Sequence, residues 1–80
     1  MLEEEIIDHL TRIFSSVFSL PDIEIDRDLT AFDIDEWDSL SHIRLILSVE
    51  KKFKIRISSA EIETLDNVGS MIDLIEQKLR

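Results

Sequence analysis

From Leu2 to Phe18, apolar residues fall at positions 2, 6, 7, 10, 13, 14, 17 and 18, the spacing of one face of a helix. Glu3, Glu4, Glu5 and Asp8 lie at its start, where negative charge suits the positive end of the helix dipole. Ser19-Leu20-Pro21 predicts its end, because proline cannot donate a helical hydrogen bond. In a second run, Leu40, Ile43, Leu45, Ile46, Leu47, Val49 and Phe53 project over more than half of a helix circumference. Ser41, Arg44, Ser48, Lys51 and Lys52 keep a narrow strip. So wide an apolar arc predicts a central helix touched by neighbours on several sides.

Ser58-Ser59-Ala60-Glu61 is a capping-box pattern that opens a short helix to about Leu65. Asp66 or Asn67 then caps a last helix, with Val68, Met71, Ile72, Ile75 and Leu79 on one face. Lys78 and Arg80 suit its negative end. Residues 21–37 show no such period. Ile23 and Ile25 alternate with acids, but no second strand exists to pair with them, and a lone strand is unstable. The expectation is a long ordered loop, pinned by Leu29, Phe32 and Ile34 packing inward. The fold class is therefore all-α: a small four-helix bundle of three principal helices and one short one, in a single domain spanning residues 1–80.

Length and composition fit that picture. Eighty residues lie near the lower limit for a self-sufficient core, and such a chain hides only roughly 60–65% of its unfolded surface. A hydrophobic content of 44% argues against disorder. With no cysteine and two well-separated histidines, neither a disulfide framework nor a zinc site is expected. No apolar stretch approaches the roughly 20 residues of a membrane span. The acidic Met-Leu-Glu-Glu-Glu start differs from a signal peptide, so a cytoplasmic, monomeric protein is expected.

A net charge of −9 should repel nucleic acid and anionic lipid, and favours partners with basic patches. The charge is uneven. Residues 22–38 hold eight acids against Arg27, a net of −7, whereas residues 39–53 hold Arg44, Lys51 and Lys52 against Glu50, a net of +2.

The boundary between these two stretches is Trp37-Asp38-Ser39-Leu40. Asp38 is placed to cap the second helix, leaving Ser39 as its first or second residue. A hydroxyl there suits covalent loading with a phosphate, because a helix start presents unpaired N–H groups and a positive dipole end. A hydrolytic Ser39–His42 pair would share a helix face, but the chain has no Gly-x-Ser-x-Gly elbow, preceding strand or evident oxyanion hole. The bland alternative is that Asp38 and Ser39 simply cap a helix. Asp22, Glu24, Asp26 and Asp28 alternate like calcium ligands, but Arg27 stands where an EF-hand needs glycine and Asp33 where it needs glutamate. Trp37 closes the loop over the core or, if exposed, anchors a partner. His42 is expected at the core edge, with no partner to orient it.

The stretch from Asp35 to Ile57, followed by a capped short helix and Asn67-Val68-Gly69-Ser70-Met71-Ile72, resembles the acyl carrier protein family. Helix order and loop length agree from Leu2 to Leu79. The specific part is Asp38-Ser39-Leu40, with Ile43, Leu47, Glu50 and Phe53 following at the family's spacing. The resemblance implies that Ser39 is the attachment point for 4′-phosphopantetheine, whose thiol holds an acyl group as a thioester. It implies that Asp38 helps a phosphopantetheinyl transferase and its magnesium ion engage, and that partners read Leu40 and Ile43. Such a protein is a carrier and not an enzyme. Its partners are the transferase and acyl-activating, acyltransferase or ketosynthase-type enzymes.

The recognition helix of fatty-acid members is strongly acidic, whereas here it carries Ser41, Arg44, Lys51 and Lys52, with Glu50 retained. Trp37 also replaces a small or plain aliphatic residue. Both departures point to discrete carriers in specialised acyl or amino-acyl transfer, such as polyketide-type pathways. Trp37, Arg44 and Glu50 join Leu40 and Ile43 as candidate recognition residues. The alternatives are a peptidyl or amino-acyl carrier of non-ribosomal type, a fatty-acid carrier, and a helical interaction module without a cofactor.

Overall fold

The computed structural model describes residues 1–80 as four α-helices: α1 (Glu3–Phe18), α2 (Ser39–Phe53), α3 (Ser59–Ile62) and α4 (Val68–Lys78). A single 3-10 turn, Ala31–Asp33, interrupts the long connection between α1 and α2. There are no strands. α1 packs against both α2 and α4. Its period places Ile6, Leu10, Phe14 and Phe18 in the core, facing Leu45, Ile46, Val49 and Phe53 of α2 and Val68, Met71, Ile72 and Ile75 of α4. Each such side chain contributes about 1.5–3 kcal/mol through burial.

Helix ends follow local chemistry. Leu2 precedes α1, and its N–H donates to the Glu5 carboxylate at 3.0 Å. α1 stops at Ser19, whose left-handed φ of 55° lets its N–H reach the Ser15 carbonyl. The stop thus falls two residues before Pro21. α2 ends in the same way at Lys54, with φ 57°. Asn67 caps α4, with Oδ1 accepting from the Ser70 N–H at 2.8 Å. The Ser58–Glu61 box forms, but α3 is one turn ending at Ile62, short of the expected Leu65. Lys78 holds it to the end of α4 through Glu61 at 2.9 Å.

The α1–α2 loop holds no strand, as expected, and of its three expected anchors Leu29 and Ile34 pack inward while Phe32 does not. Ile34 is buried, and Ile23, Ile25 and Leu29 pack against the core edge. Phe32 is 98% exposed. The reciprocal Thr30–Asp33 hydrogen bonds tighten the turn so that Phe32 sits on its outer side, while Ile34 and Trp37 turn inward. The loop is tied to α4 by backbone bonds, Val68 N–H to the Leu29 carbonyl (2.9 Å) and Gly69 N–H to the Arg27 carbonyl (2.8 Å). Gly69 permits this approach: a Cβ there would stand 3.0 Å from that same carbonyl oxygen.

The expectation for α2 also needs correction. Leu40, Ile43 and Leu47 are each about three-fifths exposed, so the wide apolar arc is two faces. Leu45, Ile46, Val49 and Phe53 fill the core; the other three form an outward ridge.

Candidate functional site

Ser39 is the first residue of α2 and its side chain is exposed. Asp38 is the cap: its Oδ1 accepts the Ser41 N–H at 2.8 Å and its carbonyl accepts the His42 N–H at 2.8 Å. The Ser41 N–H, then the Ser41 hydroxyl, and after them the Leu40 and Asp38 amides hold the Asp38 carboxyl below the usual carboxylate range. The loop thus delivers an ionised carboxylate and a free hydroxyl side by side at a helix start.

Beneath them lies Trp37. It is 7% exposed, edge-on to Phe14 with ring centres 5.3 Å apart, and tilted against Phe18. This burial bears out the reading in which Trp37 closes the loop over the core, and weighs against an exposed recognition anchor there. Its N–H donates to His42 Nδ1 at 2.9 Å, and the two rings stack within 26°. His42 therefore does have an orienting partner, contrary to the sequence-based expectation. Burial pushes the His42 pKa below the ordinary imidazole value.

A groove of about 430 Å³ opens beside Ser39, walled by Ala31, Trp37, Asp38, His42, Leu65 and Asp66. A larger groove, about 580 Å³, runs under the α1–α2 loop and does not include Ser39. The alternating loop acids do not converge into a group of three or more metal ligands. Arg27, among them, instead reaches Glu3 and Asp73.

Of the other candidate recognition residues, Leu40, Ile43 and Arg44 are exposed on α2. Glu50 is half-buried and its Oε2 accepts the Ile57 N–H at 2.9 Å, so it secures the segment after α2. That engagement weighs against a free recognition carboxylate there. Leu47 was missed as a surface residue. Its signal was present in the sequence as the 40, 43, 47 spacing, a helical stripe of its own. Ala31, Leu65 and Asp66 had no such signal, because only chain closure brings them to Ser39.

Residues 8–75 match the family model described as the phosphopantetheine attachment site. An acyl carrier protein of Acidothermus cellulolyticus is 32% identical, over 91% of this chain and 87% of the relative. The chain belongs to the acyl carrier protein family. A second acyl carrier protein, from Kineococcus radiotolerans, is 31% identical over 94% of this chain and 93% of that one. The fold is also similar to the solution structure of holo acyl carrier protein from Geobacter metallireducens. That match has a TM-score of 0.86 and 46% identity, covering 91% of this chain and 84% of that one.

As an acyl carrier protein, the chain is a carrier of a phosphopantetheine group and not an enzyme. It works with a phosphopantetheinyl transferase and with acyl-handling enzymes. The site fits such a group. An exposed hydroxyl at a helix start can take a phosphodiester without displacing a core contact, and the adjoining groove has room for part of a flexible arm. No helix is long and apolar enough to cross a membrane.

Proposed function

We propose that Ser39 carries the 4′-phosphopantetheine and that the protein serves a specialised acyl or amino-acyl transfer pathway, such as polyketide-type biosynthesis. When bound, the group supplies a thiol that holds the cargo as a thioester. The observation that carries the first part is the free Ser39 hydroxyl as the opening residue of α2, beside the capping Asp38. Asp38 spends Oδ1 on the Ser41 amide, leaving its second oxygen for the transferase and its magnesium ion.

Support for the pathway lies in the outer face of α2. At about 100° per residue, Ile43, Leu47 and Leu40 form one ridge, and Lys51 and Arg44 run directly beside it. All five are exposed. A partner that reads this face offers an apolar groove with neutral or acidic flanks. The acidic loop on the other side of Ser39 suits a basic partner surface. The serine stands between two surfaces of opposite sign, an arrangement that orients an incoming enzyme.

The test of the first part is incubation with coenzyme A, magnesium and a broad-specificity phosphopantetheinyl transferase, read by intact-mass spectrometry. One phosphopantetheine should add to the wild type and none to Ser39→Ala. An unmodified wild type with several transferases refutes the assignment and favours a cofactor-free interaction module. Trapping the native thioester identifies the cargo; a plain fatty acyl group would overturn the pathway reading.

A further inference from the structure

A phosphodiester on Ser39 would stand in an acidic setting. Two carboxylates, Asp38 and Asp66, line the groove beside it, and no lysine or arginine does. An anion there needs N–H donors, and the first turn of α2 has already given up two: the Ser41 amide to the Asp38 carboxylate and the His42 amide to the Asp38 carbonyl.

The Ser39 and Leu40 amides have no backbone acceptor at the helix start, and the groove adds one side-chain donor with an uncommitted N–H, His42. An indole N–H only donates, so the bond from Trp37 requires an unprotonated Nδ1 and places the ring proton of neutral His42 on Nε2. Trp37 is fixed in the core against Phe14 and Phe18, and stacks on the imidazole, so both tautomer and ring plane are set by a buried anchor. Nε2 makes no hydrogen bond within the protein and is not a buried orphan atom. Helical side chains lean toward the N-terminus, so a residue three places after Ser39 covers the turn that bears it.

We propose that His42 is a positioning residue whose Nε2–H donates to the phosphodiester on Ser39, with Trp37 holding the imidazole in the required tautomer. The donor steadies the first bonds of the arm over the groove while leaving the thiol end free. A neutral donor also adds no cation beside Asp38 and Asp66, whose carboxylates line the same groove from the α1–α2 loop and from the connection between α3 and α4. The proposal rests on Ser39 being the loaded residue.

The test compares unmodified and phosphopantetheine-loaded protein, with loading checked by intact mass. The His42 imidazole is titrated by ¹⁵N NMR and the phosphodiester is followed by ³¹P NMR. A new anion at hydrogen-bond range should raise the His42 pKa by about one unit on loading, and the ³¹P resonance should titrate with the same midpoint. His42→Ala should abolish that ³¹P titration and move the resonance toward that of free phosphopantetheine. His42→Gln, whose amide N–H reaches about as far as Nε2, should restore much of the wild-type position without titrating. An unchanged His42 pKa between the two forms, or a ³¹P resonance indifferent to His42→Ala, overturns the proposal. The wild-type titration decides alone if a variant does not fold. A chain that takes no phosphopantetheine in the mass check overturns the Ser39 assignment as well.

Discussion

Nη2 of Arg27 lies 2.9 Å from both carboxylate oxygens of Asp73. Its Nη1 reaches Glu3 at 2.8 Å, so one guanidinium joins the α1–α2 loop to the first and last principal helices. Both carboxylates keep the Arg27 pKa above its ordinary value, with Asp73 the larger cause. Arg27→Ala should lower the melting temperature by a few degrees, since the group is surface-exposed and screened. Thermal melts at low and high salt check this: the loss should shrink as salt rises. In the wild type, salt should raise the melting temperature, because residues 22–38 keep a net charge of −7 after Arg27 is counted.

Gly69→Ala should destabilise the protein by about 1 kcal/mol. The gain in helix propensity is smaller than the cost of forcing apart the Gly69–Arg27 backbone contact. The obstacle is a carbonyl oxygen at 3.0 Å that also accepts the Gly69 N–H, and backbone cannot swing aside as a side chain does. Urea unfolding should show a lower midpoint at constant slope.

Lys54→Gly should stabilise the protein by about 0.5–1 kcal/mol, because glycine removes the left-handed penalty at the end of α2. Lys54 is exposed with φ 57°, and only its backbone N–H is engaged, to the Glu50 carbonyl. Equilibrium unfolding measures the gain directly; a loss would mean that the lysine side chain contributes more than its cap geometry costs.

Acidification should weaken the unmodified fold in two stages. His42 has a folded pKa below its unfolded value near 6.5, so between the two the unfolded chain binds more protons. Its contribution is complete above the unfolded value and is lost as pH falls through the folded one. Protonation also breaks the bond from Trp37, and since the chain has one tryptophan, its fluorescence should follow that step. Asp38 and Glu61 have folded pKa values below the usual carboxylate range, so their contributions are lost only at lower pH. A melting temperature flat from pH 7 to 5 would remove His42 from this account.

Arg44→Glu and Leu47→Asp should each reduce loading by the native acyl-activating or transferase enzyme about tenfold or more, while changing stability by no more than about 0.5 kcal/mol. Both side chains are exposed. Steady-state loading rates and thermal melts together separate recognition from folding. Unchanged loading rates would move recognition to the acidic loop.

Much of the fold was legible because its determinants are short-range. Apolar spacing marked α1, α2 and α4, and the caps at Asp38, Ser58 and Asn67 act within three residues of themselves. The α1–α2 loop was harder. Nothing in Leu29, Phe32 and Ile34 distinguishes an inward from an outward apolar residue, and the Thr30–Asp33 turn turned Phe32 away. The arc on α2 misled for a similar reason: periodicity records which residues share a face, and not whether a neighbour covers it.

The sequence by itself determined the helical order, the place of Ser39 at the start of α2, and the change of charge sign across it. Each depends on residues only a few positions apart. The tertiary structure alone decided that Trp37 is buried and orients His42, that Leu40, Ile43 and Leu47 remain uncovered, and that Arg27 spans 24 residues to Glu3 and 46 to Asp73. Those contacts depend on chain closure around the core, which brings together groups that local spacing cannot relate.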